Sequence, residues 1–424
     1  MKVLIIGAGI GGLATALSLH DAGIRDITII EQVPELRPLG VGINLLPHAV
    51  RELTELGLGD EVARIGMPTS RLTYTNRFGQ EIWSEPRGLD AGYRWPQYSV
   101  HRGELQMLLL AAVRSRLGAE RVRLGLAAVS SDPRTDVTSV TFRDASGEER
   151  TLTADVVIAA DGIHSALRKQ RYPDEGDPVW NRLILWRGTA IAPAYLDGRT
   201  MIMAGDGLQK FVAYPLETPR ADGLARINFI AEYRASDDDT GISDWNRAVD
   251  PSRVIDMFAD WRFDWLDVPG LIAASDQVLE YPMVDRDPVD RWTWGTQTLL
   301  GDAAHAMYPI GSNGASQAIL DARTLARELA TTADASAALA AYEHTRRPVT
   351  AALTLSNRSL GPERVMQLAY ERAPQGFDDI EHVVPLAERQ RIAAEYKQAA
   401  GFDPSLLNDR PSLSVRPMAE GAGR

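Results

Sequence analysis

The run GAGIGG, Gly7 to Gly12, and an acid nineteen residues beyond it, Glu31, have types and spacing that can do chemistry. Gly7 permits a tight turn, Gly9 lets backbone approach a pyrophosphate, and Gly12 allows a helix to pack closely on a strand. The N–H groups that open such a helix, with the positive end of its dipole, suit an anion. Glu31 stands where it can accept hydrogen bonds from a ribose diol. The group reads as a dinucleotide site and leaves NAD or FAD open.

A second group lies far along the chain, in QTLLGDAAHAMYPIGSNGASQAILDA, residues 297–322. An apolar run ends on Gly301-Asp302; Pro309, Gly311, Asn313 and Gly314 follow, and then a helix begins. An aspartate after a strand is most often a turn or N-cap residue. Here the context also suits a carboxylate that hydrogen-bonds a ribityl hydroxyl, with helix N–H groups facing an anionic edge of a flat ligand. Other patterns weaken on inspection. GASQA, Gly314 to Ala318, lacks the last glycine of a nucleophile elbow. The seven histidines are scattered without metal-ligand spacing, so no metal is expected. His305 reads as a structural loop residue beside the second group.

These groups need elements to hold them. Residues 3–6 read as a buried strand, Leu13 to Ala22 as the helix after the turn, and DITIIE as a second strand that ends on Glu31. The loop GVGIN leads into PHAVRELTELG, a helix that Gly57 can stop. ADVVIAADG, residues 154–162, is apolar on consecutive positions, as a parallel strand covered on both faces would be. From 180 to 235 the runs LILWRGTAI, KFVAYPL and ARINFIAEY predict a largely antiparallel sheet. Helical text returns at 251–261, from 321 to about 370, and at 385–399.

Acidic residues outnumber basic ones 57 to 45 and no basic block stands out, which argues against nucleic acid and anionic membrane as partners. Cysteine is absent, so disulfides, thiolate nucleophiles and Cys-ligated metals are excluded. Lys2 followed by VLIIGAGIGGLATALSL has the outline of a secretory signal, but the glycine turn and Glu31 argue for a mature fold. No other apolar run approaches the roughly 20 residues that span a bilayer. A cytoplasmic protein, monomer or homodimer, is expected.

Taken together, GAGIGG with Glu31, ADG at 160–162 and GDAAHAMYPIGSNGASQAILDA resemble the single-component flavoprotein aromatic hydroxylases, the family of p-hydroxybenzoate and salicylate hydroxylases. The resemblance covers about residues 1–350. RPLGVGIN, WSEPRG, PQYSVHRGELQM and YPMVDRDP look like its phenazine-modifying branch. Ser316, where many members have Asn, and Leu320, where many have an acid, match that branch.

The resemblance implies an α/β fold in which a Rossmann-like FAD domain (1–70, 99–178 and 276–345) is interrupted by a mainly antiparallel substrate sheet (71–98 and 179–275). C-terminal helices (346–400) and a flexible tail (401–424) complete it. Glu31 would bind the adenosine ribose, and Gly9, Gly11 and Gly12 the pyrophosphate, with Gly7 a further cofactor-site residue at the turn. Arg102 would reach the flavin's phosphate and ribityl region, and Asp161 would serve both FAD and the pyridine nucleotide. Gly301 and Asp302 would hold the ribityl chain, while Gly314 and Ala315 turn N–H groups to the N1/C2 edge of the flavin. Ile10, Gly42 and Ile43 are further cofactor contacts. Pro309 would shape the pocket, with Arg187 and Tyr214 orienting the substrate.

The implied activity is hydroxylation of a planar aromatic or heteroaromatic, a phenazine-like carboxylic acid included, with loss of CO₂ as the sharper form. NADH or NADPH is a transient co-substrate, and O₂ is used through a C4a-hydroperoxyflavin. Secondary metabolism is the expected setting. Two other readings stay open: a flavin oxidoreductase that does not insert oxygen, and a flavin-binding sensor without turnover.

Overall fold

The computed structural model describes residues 1–133, 136–236, 247–399, 401 and 403–415. Val3 to Ile6 are all buried, as a strand covered on both faces requires. This strand, Lys2–Ile6, lies inside a six-stranded sheet with the order Thr293–Trp294, Gln297–Leu299, Val156–Ala159, Lys2–Ile6, Asp26–Glu31, Val122–Leu124. Every neighbouring pair is parallel except the short hairpin 293–299. The helix Ile10–Asp21 packs against Gly314–Thr331, so the two glycine-rich loops open helices that lie side by side.

The path between strands decides where the site forms. The chain leaves the sheet after Ala159 and returns at Gln297, where Val157 pairs with Gln297 and Ala159 with Leu299. Asp161 and Gly301-Asp302 therefore sit beyond the carboxyl ends of adjacent parallel strands, the place where open α/β sheets bind ligands.

The excursion builds an eight-stranded sheet, ordered Arg247–Val249, Val278–Asp285, Val179–Pro193, Leu224–Arg234, Gln209–Pro215, Thr200–Gly205, Arg71–Thr75, Glu81–Pro86. Only the pair 200–205 with 71–75 is parallel. One direct link to the nucleotide half is buried: the Gly42 N–H donates to Oδ1 of Asn228 at 2.6 Å. The helices Ala335–Arg358, Arg364–Arg372 and Leu386–Ala399 close the fold.

Two expectations need correction. Residues 276–285 do not join the nucleotide domain expected for 276–345: Val278–Asp285 hydrogen-bonds between two strands of the large sheet. Its alternating apolar pattern fits either sheet, and pairing with Val179–Pro193 settles the choice. The expected flexible tail is packed where it is described, and residues 416–424 lie outside the described residues. Pro404–Asp409 is a helix with Leu407 buried. Arg51 donates to the carbonyls of Leu407 at 2.9 Å and Arg410 at 2.7 Å; Arg410 pairs with buried Glu52, and Arg323 reaches Ser414 Oγ at 2.5 Å.

Truncation after residue 402 removes one cation from Glu52, which keeps Arg323 at 3.2 Å. We expect the melting temperature to fall by a few degrees in scanning fluorimetry, with FAD still bound. An unchanged melting temperature would show that the strap carries no stability.

Candidate active site

Two adjoining cavities run along the carboxyl edge of the six-stranded sheet. The outer one, of about 360 Å³, is lined by Gly7, Glu31 and Asp161. The inner one, of about 310 Å³, lies between the two sheets. Gly9, Arg102, Ala160 and Gly162 line both, so the two form one elongated site.

At the outer end Glu31 is fixed by backbone: Oε2 accepts from the Ala8 N–H at 2.7 Å and Oε1 from Val33 at 3.1 Å. That clamps the acid against the glycine turn and leaves lone pairs for a diol. Burial pushes the Asp161 carboxyl up to about 6, against hydrogen bonds that include the Ala166 N–H at 3.0 Å. Its Oδ1 has no protein partner among the described residues. Arg102 is exposed, at the start of the helix Arg102–Leu117, beside both cavities.

The glycines test whether a dinucleotide fits. Gly7 has φ +103°, and a Cβ there would lie 2.3 Å from the Ala160 carbonyl oxygen. A Cβ on Gly12 would lie 2.0 Å from the Gly7 carbonyl oxygen, so the turn and the helix close only on glycine. At Gly9 and Gly314 a Cβ would meet nothing within 4 Å, because both face the cavities. Crowded glycines beneath and open ones above make a cradle for an elongated, flat-ended ligand, and FAD has that shape. Gly12 lines neither cavity; its part is packing.

At the inner end Gly301, Asp302, Gly314 and Ala315 line the cavity together with Ile10, Gly11 and Ile43. Asp302 is exposed into this space and caps nothing: the N-cap of its one-turn helix is Gly301, with no side-chain cap bond. The helix Gly314–Thr331 also lacks a side-chain cap, and its first N–H groups have no intrahelical partner. Negative charge at this edge of a ring would meet donors and a helix dipole.

The large sheet supplies the opposite wall. Arg187 and Tyr214 line it with Met201, Met203 and Val212; Gly42, from the nucleotide half, and exposed Pro309 border the same cavity. The Arg187 guanidinium lies 5.9 Å from the centroid of the Tyr281 ring. Burial holds the Tyr214 phenol well above its ordinary range, so it stays a proton donor. All the expected site residues except Gly12 thus border one continuous space.

Three arrangements carry no sequence signal. Asp321, 0% exposed, accepts from the Gly301 N–H at 3.2 Å, His305 Nε2 at 2.5 Å and Arg346 Nε at 2.7 Å. Burial alone would raise its carboxyl, but His305 and Arg346 hold it below the usual range. His305 is therefore part of the frame under the Asp302 loop. Arg168, also buried, donates to the carbonyls of Ala303 at 3.1 Å and Ala304 at 2.8 Å and fixes the same turn from the other side. Lys210 pairs with Glu232 at 2.9 Å and with Glu363 beside the cavity. Burial works against the Lys210 charge, yet the two carboxylates keep it above the ordinary lysine range.

A profile described as "FAD binding domain" matches residues 1–176 and 267–356, which include both glycine-rich loops of the cradle. The chain belongs to the FAD binding domain family. Within that family it is 48% identical, over 361 residues, to phenazine 1,6-dicarboxylic acid hydroxylase PhzS of Lysobacter antibioticus, covering 84% of this chain and 89% of that one. It is 30% identical to 3-amino-4-hydroxybenzoate 2-monooxygenase of Streptomyces cremeus, over 98% and 99% of the two chains. The crystal structure of Klebsiella pneumoniae HpxO complexed with FAD and uric acid superposes with a TM-score of 0.72 at 25% identity, over 96% of each chain. A salicylate hydroxylase substrate complex has the same fold, with a TM-score of 0.73 at 22% identity over 99% of each chain. This member of the FAD binding domain family is an FAD-dependent aromatic hydroxylase that uses NAD(P)H and O₂.

Proposed function

We propose that this hydroxylase acts on a planar nitrogen heteroaromatic that carries a carboxylate, of phenazine type. The observation that supports it is the 48% identity to the phenazine 1,6-dicarboxylic acid hydroxylase over 361 residues, a stretch too long to be confined to the cofactor segments. When bound, FAD supplies the redox chemistry, taking a hydride from NADH or NADPH and passing one atom of O₂ to the ring.

The chain's own residues bind, orient and exclude water. Glu31 accepts from the adenosine ribose, Arg102 meets the phosphates, and Asp302 accepts from a ribityl hydroxyl. The N–H groups of Gly314 and Ala315 stabilise negative charge at the flavin's pyrimidine edge. Arg187 takes the substrate carboxylate and Tyr214 donates to a polar atom of the ring. Pro309, Met201, Met203 and Val212 keep the space between ring and cofactor dry, which protects the oxidant from water.

The purified protein should be yellow, and phenazine-1,6-dicarboxylate should accelerate NAD(P)H oxidation. With isotopically labelled O₂, label should enter the product. Its mass separates simple hydroxylation from replacement of the carboxylate by hydroxyl. NAD(P)H consumption with an unlabelled product would leave a flavin oxidoreductase that does not insert oxygen. Absence of any substrate-stimulated turnover would leave a sensor.

A further inference from the structure

Beside the inner cavity, on the same face of the large sheet, lies a second hollow of about 30 Å³, largely apolar but with a few charged groups, which shares Met201, Met203 and Ser312 with it. Arg87 and Lys397 each pair with Glu85 at 2.7 Å, so two cations face one carboxylate and a net positive charge remains. Tyr74, 1% exposed, lines the hollow, and its Oη has no hydrogen-bond partner among the described residues. Neither has Nε of Arg87. Buried donors without an acceptor are costly, and a ligand oxygen would satisfy both. Burial keeps the Tyr74 phenol protonated, well above its ordinary range, so its proton is there to donate.

The Arg187 side of the cavity differs. There Arg187 and Lys210 stand against Glu232 and Glu363, and the charges balance. Arg187 thus offers one carboxylate a partner, and at the hollow Arg87 and Lys397, sharing Glu85, can offer a second anionic group another. Thioethers are unbranched and polarizable, so Met201 and Met203 can turn aside from a ring edge without loss of packing.

We infer that the hollow at Arg87 and Tyr74 is a subsite for a carboxylate on the ring edge remote from the reacting carbon. It is entered between Met201 and Met203. This rests on the substrate class proposed above and deepens it: a dicarboxylated ring system is held at both ends, at Arg187 and at Arg87. A single-ring acid occupies only the first.

The test uses FAD-loaded enzyme and reads the change in flavin absorbance on titration with phenazine-1,6-dicarboxylate or phenazine-1-carboxylate. Tyr74→Phe should raise the Kd of the dicarboxylate about tenfold and leave that of the monocarboxylate within about twofold. Arg87→Lys keeps a charge for Glu85 but removes the Nε donor, and should show the same selectivity. Equal loss for both ligands, or loss for neither, overturns the subsite and assigns the hollow to water. Failure of wild-type enzyme to respond to either phenazine overturns the substrate class and the subsite together.

Discussion

Asp302→Ala is expected to raise the Kd for FAD roughly 10- to 100-fold, the range for loss of a charge-assisted hydrogen bond, while the apoprotein melts within about a degree of wild type. The asymmetry follows from position. Asp302 opens a one-turn helix whose N-cap is Gly301, its side chain caps no backbone N–H, and it is exposed toward the inner cavity. Alanine there removes a contact to the cofactor and little else. Fluorescence titration of apoprotein with FAD, beside scanning fluorimetry without FAD, checks both halves. Equal loss in both would mean that the carboxylate holds the loop and not the cofactor.

Asp321→Ala should behave in the opposite way. Arg346 and His305 would lose the buried anion between them, and the Gly301 N–H its acceptor. Removing one member of a buried ion pair costs about 3–5 kcal/mol, which corresponds to a fall of roughly 10 °C in melting temperature. FAD retention should fall in parallel, because the Asp302 loop rests on this frame.

The pH dependence has a definite sign. The folded carboxyl of Asp321 lies below the ordinary aspartate range. Its contribution is therefore fully present above about pH 4, the unfolded value, and is lost as pH falls through the depressed folded value. The gap between wild type and Asp321→Ala should be wide at neutral pH and narrow only in strong acid. A gap that stayed constant into strong acid would overturn the ionic account.

The contrast between these two acids shows what can be read along a chain and what cannot. Asp302 follows an apolar strand and precedes glycines, so its place at a strand mouth is visible from its neighbours. Asp321 sits among apolar residues inside a helix, and its partner Arg346 lies on a different helix. Only the packing of those helices makes a pair of them. Glu31 and the glycine turn were legible for the same reason as Asp302: a short strand–turn–helix–strand unit has its own spacing.

Pairing over long distances was not legible. Val278–Asp285 carries no local mark of which sheet it joins, and the tail's prolines read as looseness until Arg51, Arg323 and Glu52 are seen to grip it. Arg168 is likewise indistinguishable in sequence from Lys169 and Arg171. Its five-donor guanidinium matters because two helical carbonyls of the Asp302 turn end beside it.

The long excursion between Ala159 and Gln297 also sets an order of events during synthesis. The ribosome releases Gly7, Glu31 and Asp161 well before Gly301, yet Val156–Ala159 takes Gln297–Leu299 as its neighbour. Until that neighbour emerges, an apolar parallel edge stays open on the nascent chain, the kind of edge that seeds aggregation. Flavin capture is thus a late step, after most of the polypeptide exists.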